Sequence, residues 1–255
     1  MLEKILISLT NSFSIITVTN NSQSTIEKTI LSVINQSYKN YEYIIIDGGS
    51  SDKTLEIINK YKNNIDKFIS ENDHGIYDAI NKGIKLSKNS IIGILHSDDS
   101  FYSNDVLLKY SRVFKKDIDI VYANLIIVND KKVIRRWVSN NFKRNSFMNG
   151  WSPPHPTFFV RKKYYSKFGN YSLKYKIASD IDLMFKFMEI HKLKSYYLNT
   201  TTVIMKTGGL SNKNILNKIK LNLEIIKILK SQRNNKFKLL NFIFKKFFYK
   251  IKQYF

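Results

Sequence analysis

The sequence predicts an α/β protein built on a mostly parallel sheet flanked by helices. Two observations carry this expectation. Short, uniformly apolar runs alternate with helical periodicity through the first hundred residues. Those runs also lack the in-and-out alternation of a sheet wetted on one side, so helices must cover both faces.

"FSIITV" (13–18) is the first strand expected. Ser24 and Glu27 then form a capping box that opens a helix carrying Ile26, Ile30, Val33 and Ile34. "YEYIIID" (41–47) is the second strand, and "GGSSDKT" turns into a helix with Leu55, Ile57, Ile58 and Tyr61. "IDKFIS" (65–70), a helix near 76–87 and "SIIGIL" (90–95) continue the alternation. After that the order changes: residues 119–138 read as strands around a turn at 129–131, and Ser179 to His191 reads as a helix.

Composition narrows the function classes. At 255 residues and 43% hydrophobic, the chain can bury one large domain, so disorder does not describe it. Cysteine is absent, which removes disulfides and thiolate metal sites and fits a reducing compartment. Glu3 and the polar break at Thr10 to Ser12 interrupt what would be the apolar stretch of a signal peptide, so the N-terminus reads as unprocessed and cytosolic. The net charge of +22 is unevenly placed, because residues 211–255 hold 12 Lys or Arg against the single acid Glu224. The expected division is therefore a domain over 1–210 and a basic helical tail over 211–255.

In a sheet of this kind, ligands gather beyond the carboxyl ends of the strands where strand order reverses. Polar groups recur at those ends: Thr17 to Asn20, Asp47 to Ser50, Asp73, and Asp98 with Asp99. Two adjacent carboxylates repel unless a cation or donor lies between them. A hard divalent ion, Mg2+ or Mn2+, bridging Asp98 and Asp99 to phosphate oxygens satisfies both. The competing reading makes Asp99 the cap of a helix near 103–114.

"FSIITVTNN", "TILSVINQSYKNYEYIIIDGGSSDKT", "ENDHGIYDAINKGIKLSKNSIIGILHSDD" and "PPHPTFFVRKKYYSKFGNYSLKYKIASDIDL" together resemble, in order and spacing, the family 2 nucleotide-sugar glycosyltransferases of GT-A fold. The resemblance covers roughly residues 12–211 and is strongest to bacterial enzymes of surface-polysaccharide synthesis. It implies an inverting transfer of one sugar from a nucleoside diphosphate, most often UDP, to a hydroxyl of a lipid-linked saccharide, with Mg2+ or Mn2+. Carried over by position, it implies nucleotide-sugar contacts at Thr17, Asn20, Asp47, Asp73, Asn81 and Asp98, and metal contacts at Asp98 and Asp99. Asn81 and Gly83 can equally be packing residues. Asp180 matches the general base, with Asp182 as its neighbouring rival. His96 stands where the metal motif would have its first acid, either as a ligand or as a structural histidine. His155, between prolines, either touches acceptor or diphosphate or packs its loop.

The tail suggests a partner of another kind. On a helix over 237–255, Lys238, Lys245 and Lys252 form one row with Lys246 and Lys250 beside it, while Leu240, Ile243, Phe244, Phe247, Ile251 and Phe255 fill the opposite face. This pattern suits an anionic membrane surface, which implies a cytoplasmic protein peripheral to the inner face of the cell membrane; 216–230 would be a helix packed on the domain. Two rival readings are a catalytically silent transferase-like scaffold and a nucleic-acid-binding protein. The second conflicts with five acids at one rim, which would repel phosphate, so no nucleic-acid partner is expected.

Overall fold

Phe13–Thr19 forms β1, buried along its whole length. The computed structural model describes residues 11–129, 132–208 and 215–232, with Phe242, Phe244, Lys245, Lys246, Tyr249 and Gln253 of the tail. β1 pairs in parallel with β2 (Tyr41–Asp47) on one side and with β4 (Ile91–Ile94) on the other, and β2 pairs in parallel with β3 (Lys67–Ser70). The chain thus builds outward from β1 to β3 and then returns across β1 to lay down β4. That return is the reversal of strand order expected to house a ligand.

The remaining strands are β5 (Asp99–Phe101), β6 (Ile120–Asn129), β7 (Lys132–Trp137), β8 (Phe159–Arg161) and β9 (Ser195–Lys206). The sheet runs β3-β2-β1-β4-β8-β6-β9-β5, with β7 added on β6. β8 is antiparallel to both β4 and β6, whereas β9 is parallel to β6 and antiparallel to β5.

Helices α1 (Ile26–Ile34), α2 (Thr54–Lys60), α3 (Ile76–Leu86), α4 (Val106–Val113), α5 (Lys163–Phe168), α6 (Ser179–Phe185) and α7 (Ile215–Gln232) cover the sheet. On one face Phe13 and Ile15 pack with Ile26, Ile30 and Ile58 of α1 and α2 and with Val106, Leu107 and Tyr110 of α4. On the other, Ile16 and Val18 pack with Ile80 and Ile84 of α3, Leu183 and Met184 of α6, and Ile225, Ile228 and Leu229 of α7. Alternation along β1 therefore feeds two cores, which is why apolar residues point to both of its faces.

Several local expectations are corrected. α1 has no side-chain cap: the Ser22 carbonyl accepts from the Thr25 and Ile26 amides, and Glu27 instead accepts the Tyr61 hydroxyl at 2.8 Å. β3 is an edge strand with alternating burial, leaving Phe68 exposed, so the expectation of uniform cover fails there. The helix expected over 179–191 begins as α6 but widens to a π-type turn over Lys186–Ile190. Asp99 caps no helix, since it lies in β5 and α4 starts after Asp105.

The tail returns to the body. Phe242 is buried in the same core as α3 and α6. Lys245 Nζ donates to Asn149 Oδ1 at 3.0 Å, Lys246 Nζ donates to Asn222 Oδ1 at 2.8 Å, and the Gln253 carbonyl accepts the Arg136 amide at 3.0 Å. Lys238, Leu240, Ile243, Phe247, Lys250, Ile251, Lys252 and Phe255 lie outside the described residues, as does the N-terminus through residue 10. Among the described residues, no helix is long and apolar enough to cross a membrane.

Gly93 of β4 sits under the Phe159 ring, and a Cβ there would lie 2.3 Å from Phe159 Cε1. Phe159 is itself held against Tyr110 at 4.2 Å and Phe13 at 5.9 Å between ring centroids. Gly93→Ala is therefore expected to cost about 1–3 kcal/mol of stability by overpacking, read from the midpoint of urea unfolding.

Candidate active site

The loops after β1 and β2 are stitched together before any ligand is considered. Asp47 is fully buried, and its Oδ2 accepts the Gly49 and Ser50 amides at 3.0 and 2.9 Å and the Ser70 hydroxyl at 2.8 Å. Ser50 Oγ donates to its other oxygen. Asp47 thus shapes the 48–50 loop from beneath. Asn20 Nδ2 donates to the Gly48 carbonyl at 2.8 Å, and the Asn21 amide donates to Ser50 Oγ at 2.7 Å. Thr17 is also buried below the rim, where its Oγ1 accepts the Tyr43 hydroxyl at 3.1 Å.

Asp73 closes this floor. A Cβ on Gly48 would stand 2.5 Å from Asp73 Oδ2 and 3.3 Å from Asn20 Nδ2, so any larger residue there would push the Asp73 carboxylate away from the loop. Asn81 has a different task. Its Nδ2 donates to the Tyr171 carbonyl at 2.9 Å and its Oδ1 accepts the Tyr171 amide at 3.0 Å. Both ends of the amide are engaged in tying α3 to the loop before α6, which is the packing alternative left open by the sequence.

At the end of β4, Asp99 is 2% exposed and its Oδ1 has no partner in the protein. Burial, and secondarily Asp98, hold its carboxyl well above the usual carboxylate range. His96 Nδ1 is likewise enclosed without a partner. An orphaned carboxylate oxygen beside a second carboxylate fits a divalent cation. Among the described residues no three His, Asp or Glu form a metal cage on their own, so a bound ion would take part of its coordination from its ligand. A cavity of about 120 Å3 opens beside the two acids, with Lys28 and Lys206 in its wall.

A chain of rings leads away from this acid pair. His96 and His155 lie 5.7 Å apart between centroids, and His155 Nε2 is hydrogen-bonded to the Tyr171 hydroxyl at 2.7 Å. Burial holds the His155 imidazole neutral, its pKa pushed down to about 3. Tyr171 stacks on Tyr77 at 5.8 Å. The Tyr77 hydroxyl donates to the Ile177 carbonyl at 2.7 Å and to Asp180 Oδ1 at 3.3 Å.

Asp180 ends this chain with partial solvent access. Burial raises its carboxyl to about 6, against the opposing hydrogen bonds from Ile181 and Tyr77. Asp182 is 2% exposed and held by Lys186 Nζ at 2.6 Å, whereas Asp180 keeps partial solvent access. Sequence reasoning missed Tyr77, Tyr171, Lys28, Lys206 and Glu224. Glu224 alone carried a signal, as the one acid of a basic tail.

Comparison with known proteins gives this geometry its context. The model of glycosyl transferase family 2 matches residues 14–204. Over 206 residues, 78% of this chain and 79% of the relative, the sequence is 28% identical to the PGL/p-HBAD biosynthesis glycosyltransferase of Mycobacterium bovis. Over 127 residues, 49% of this chain and 50% of the relative, it is 30% identical to the UDP-Glc:alpha-D-GlcNAc-diphosphoundecaprenol beta-1,3-glucosyltransferase WfgD of Escherichia coli. The fold is shared with S. aureus TarS 1-349 in complex with UDP-GlcNAc, at TM-score 0.64 and 18% identity over 92% of this chain and 79% of that one. It is shared also with the mannosyltransferase PcManGT from Pyrobaculum calidifontis in complex with GDP-Man and Mn2+, at TM-score 0.66 and 12% identity over 93% and 69% of the two chains. With the family match spanning the sheet and every acid of the rim, the chain belongs to glycosyl transferase family 2.

Proposed function

We propose that this transferase moves one sugar, with inversion, from a UDP-sugar to a hydroxyl of a lipid-linked saccharide in bacterial surface-polysaccharide synthesis. The carrying observation is that two acids live in different environments, one buried and one partly exposed. Asp99 has an orphaned oxygen beside a second carboxylate, and Asp180 has a raised pKa with solvent access. UDP-GlcNAc in the TarS complex supports the donor class, and the diphosphoundecaprenol named for WfgD supports a lipid-linked acceptor. Mn2+ in the mannosyltransferase complex supports a divalent ion.

In this reading Asp98 and Asp99 would hold Mg2+ or Mn2+. When bound, the ion offsets the negative charge that grows on the leaving diphosphate. The 48–50 loop, set by Asp47 from below and closed by Asp73 and Asn20, receives the nucleoside. Lys28 and Lys206 face the diphosphate. An Asp180 oxygen takes the proton of the acceptor hydroxyl as that oxygen attacks the anomeric carbon. The bond from that carbon to the diphosphate oxygen breaks, and its electron pair leaves with the nucleoside diphosphate. Attack opposite the leaving group inverts the configuration.

The same reading places the protein at an anionic membrane surface. Leu216, Ile219 and Leu223 are exposed at helical spacing on α7, with exposed Lys218, Lys220, Lys227 and Lys230 on the same helix and exposed Phe244 in the tail. With Phe242 turned inward, the proposed contact surface shifts from residues 237–255 alone to include α7. Such lysines contribute about 1 kcal/mol each near an anionic surface, screened by salt, and the apolar row adds a salt-insensitive part.

Two variants separate the roles of the acids. Asp99→Ala should lose the Mn2+-dependent thermal stabilisation by UDP seen in the parent. Asp180→Asn should keep that stabilisation while transfer falls about 100- to 10,000-fold. In the parent, turnover should rise with pH through about 6 as Asp180 loses its proton. Equal stabilisation in the alanine variant, or equal turnover in the asparagine variant, removes the corresponding assignment. For the membrane, Leu216→Ser, Ile219→Ser and Leu223→Ser combined should release the protein from phosphatidylglycerol vesicles while UDP binding persists. Unchanged vesicle binding would place the contact elsewhere.

A further inference from the structure

Glu224 is the sole acid in residues 211–255, and α7 buries it against the loop that delivers Asp180. Its Oε1 accepts the Lys176 amide at 3.1 Å, and its Oε2 accepts the amides of Ile177 and Ala178 at 2.9 and 3.0 Å. Three consecutive backbone donors thus converge on one carboxylate, two residues before the proposed base. The same short stretch is gripped from the other side. The Ile177 carbonyl accepts the Tyr77 hydroxyl at 2.7 Å, and that hydroxyl also reaches Asp180 Oδ1 at 3.3 Å. Ile177 is therefore clamped by its amide to α7 and by its carbonyl to α3.

A loop holding its base by a single residue's torsions would sample many orientations, each lowering the fraction of attacks in which the acceptor proton has somewhere to go. A carboxylate is suited to the opposite outcome, because charge-assisted bonds to backbone amides are short and directional. Gln at this position would present an NH2 group to donors on one side, and Asp would fall short of them.

We infer that Glu224 is a positioning residue for transfer: through the backbone of 176–178 it sets the direction of the Asp180 carboxylate, so α7 is part of the reaction machinery as well as of the core. The inference rests on Asp180 being the base. The groups facing Asp180 are Tyr77 from α3, Tyr171 from the loop before α6 and Glu224 from α7. Among them Glu224 brings a negative charge, which adds to burial in raising the Asp180 carboxyl.

The test compares Glu224→Gln, Glu224→Asp and Asp180→Asn in the full chain. The readouts are UDP release from UDP-GlcNAc or UDP-Glc with Mn2+, the Asp180 carboxyl titration by 13C NMR, amide exchange at 176–178, and thermal stability. Glu224→Gln should fold and keep the donor KM, while kcat falls about 10- to 100-fold, as for a misplaced catalytic group. The Asp180 titration should move below about 6, and the three amides should exchange faster. Glu224→Asp should lower kcat with donor KM kept, and it decides the matter if the glutamine variant does not fold. Wild-type kcat and titration in both Glu224 variants, with Asp180→Asn inactive, would overturn the inference and leave the base in place. A parallel loss of donor binding and thermal stability would also overturn it, reducing Glu224 to a structural contact. Wild-type kcat in Asp180→Asn would instead overturn the base assignment itself.

Discussion

Parallel pairing of β1 with both β2 and β4 is the constraint on which the rest of the structure depends. Because these three strands run in the same direction, joined by crossover connections, the loops that follow them emerge at the same end of the sheet. Buried polar groups then turn that proximity into a fixed shape: Asp47 from β2 holds its own loop, and Asn20 and Asn21 after β1 bond to it. The acid pair after β4 stands beside a floor that exists without any ligand. Preorganisation of this kind is what a diphosphate site needs, since donors already in place cost no rearrangement when charge develops.

The second principle of the site is the division of labour among its acids. Asp47 and Asp182 are buried but fully engaged, one by backbone and hydroxyl donors and one by Lys186. Asp99 is buried with an oxygen left over, and Asp180 is raised by burial yet reachable. The same side chain thus meets four different settings according to which donors surround it, and the proposed roles of ion holder and base rest on those differences. The stacked Tyr77 and Tyr171, with neutral His155, form a continuous chain of contacts from His96 to Asp180.

Much of this arrangement is legible in the sequence, for physical reasons. Strands β1, β2 and β4 are covered on both faces, so most of their residues are apolar and the pattern is plain. β9 escapes because it is Thr-rich and half-buried, and β5 and β8 because they span three residues each. The rim acids are visible as polar punctuation after apolar runs, but their roles are not. Whether Asp180 or Asp182 is free depends on Lys186 one helical turn on, and whether Asn81 faces a ligand depends on Tyr171, 90 residues away. The packed helix expected over 216–230 is present as α7, and what the charge pattern does not reveal is that Phe242 joins the same core and that Glu224 reaches the loop before Asp180.

The account comes together at the acid pair, where a buried carboxylate with an unpaired oxygen is costly to the folded chain unless something binds there. A crystal of the protein grown with UDP and Mn2+ and measured at the manganese absorption edge tests this most directly. The account predicts one anomalous peak within bonding distance of a carboxylate oxygen of Asp98 or Asp99 and of the UDP diphosphate. UDP bound without any such peak, or a peak away from these acids, would contradict it.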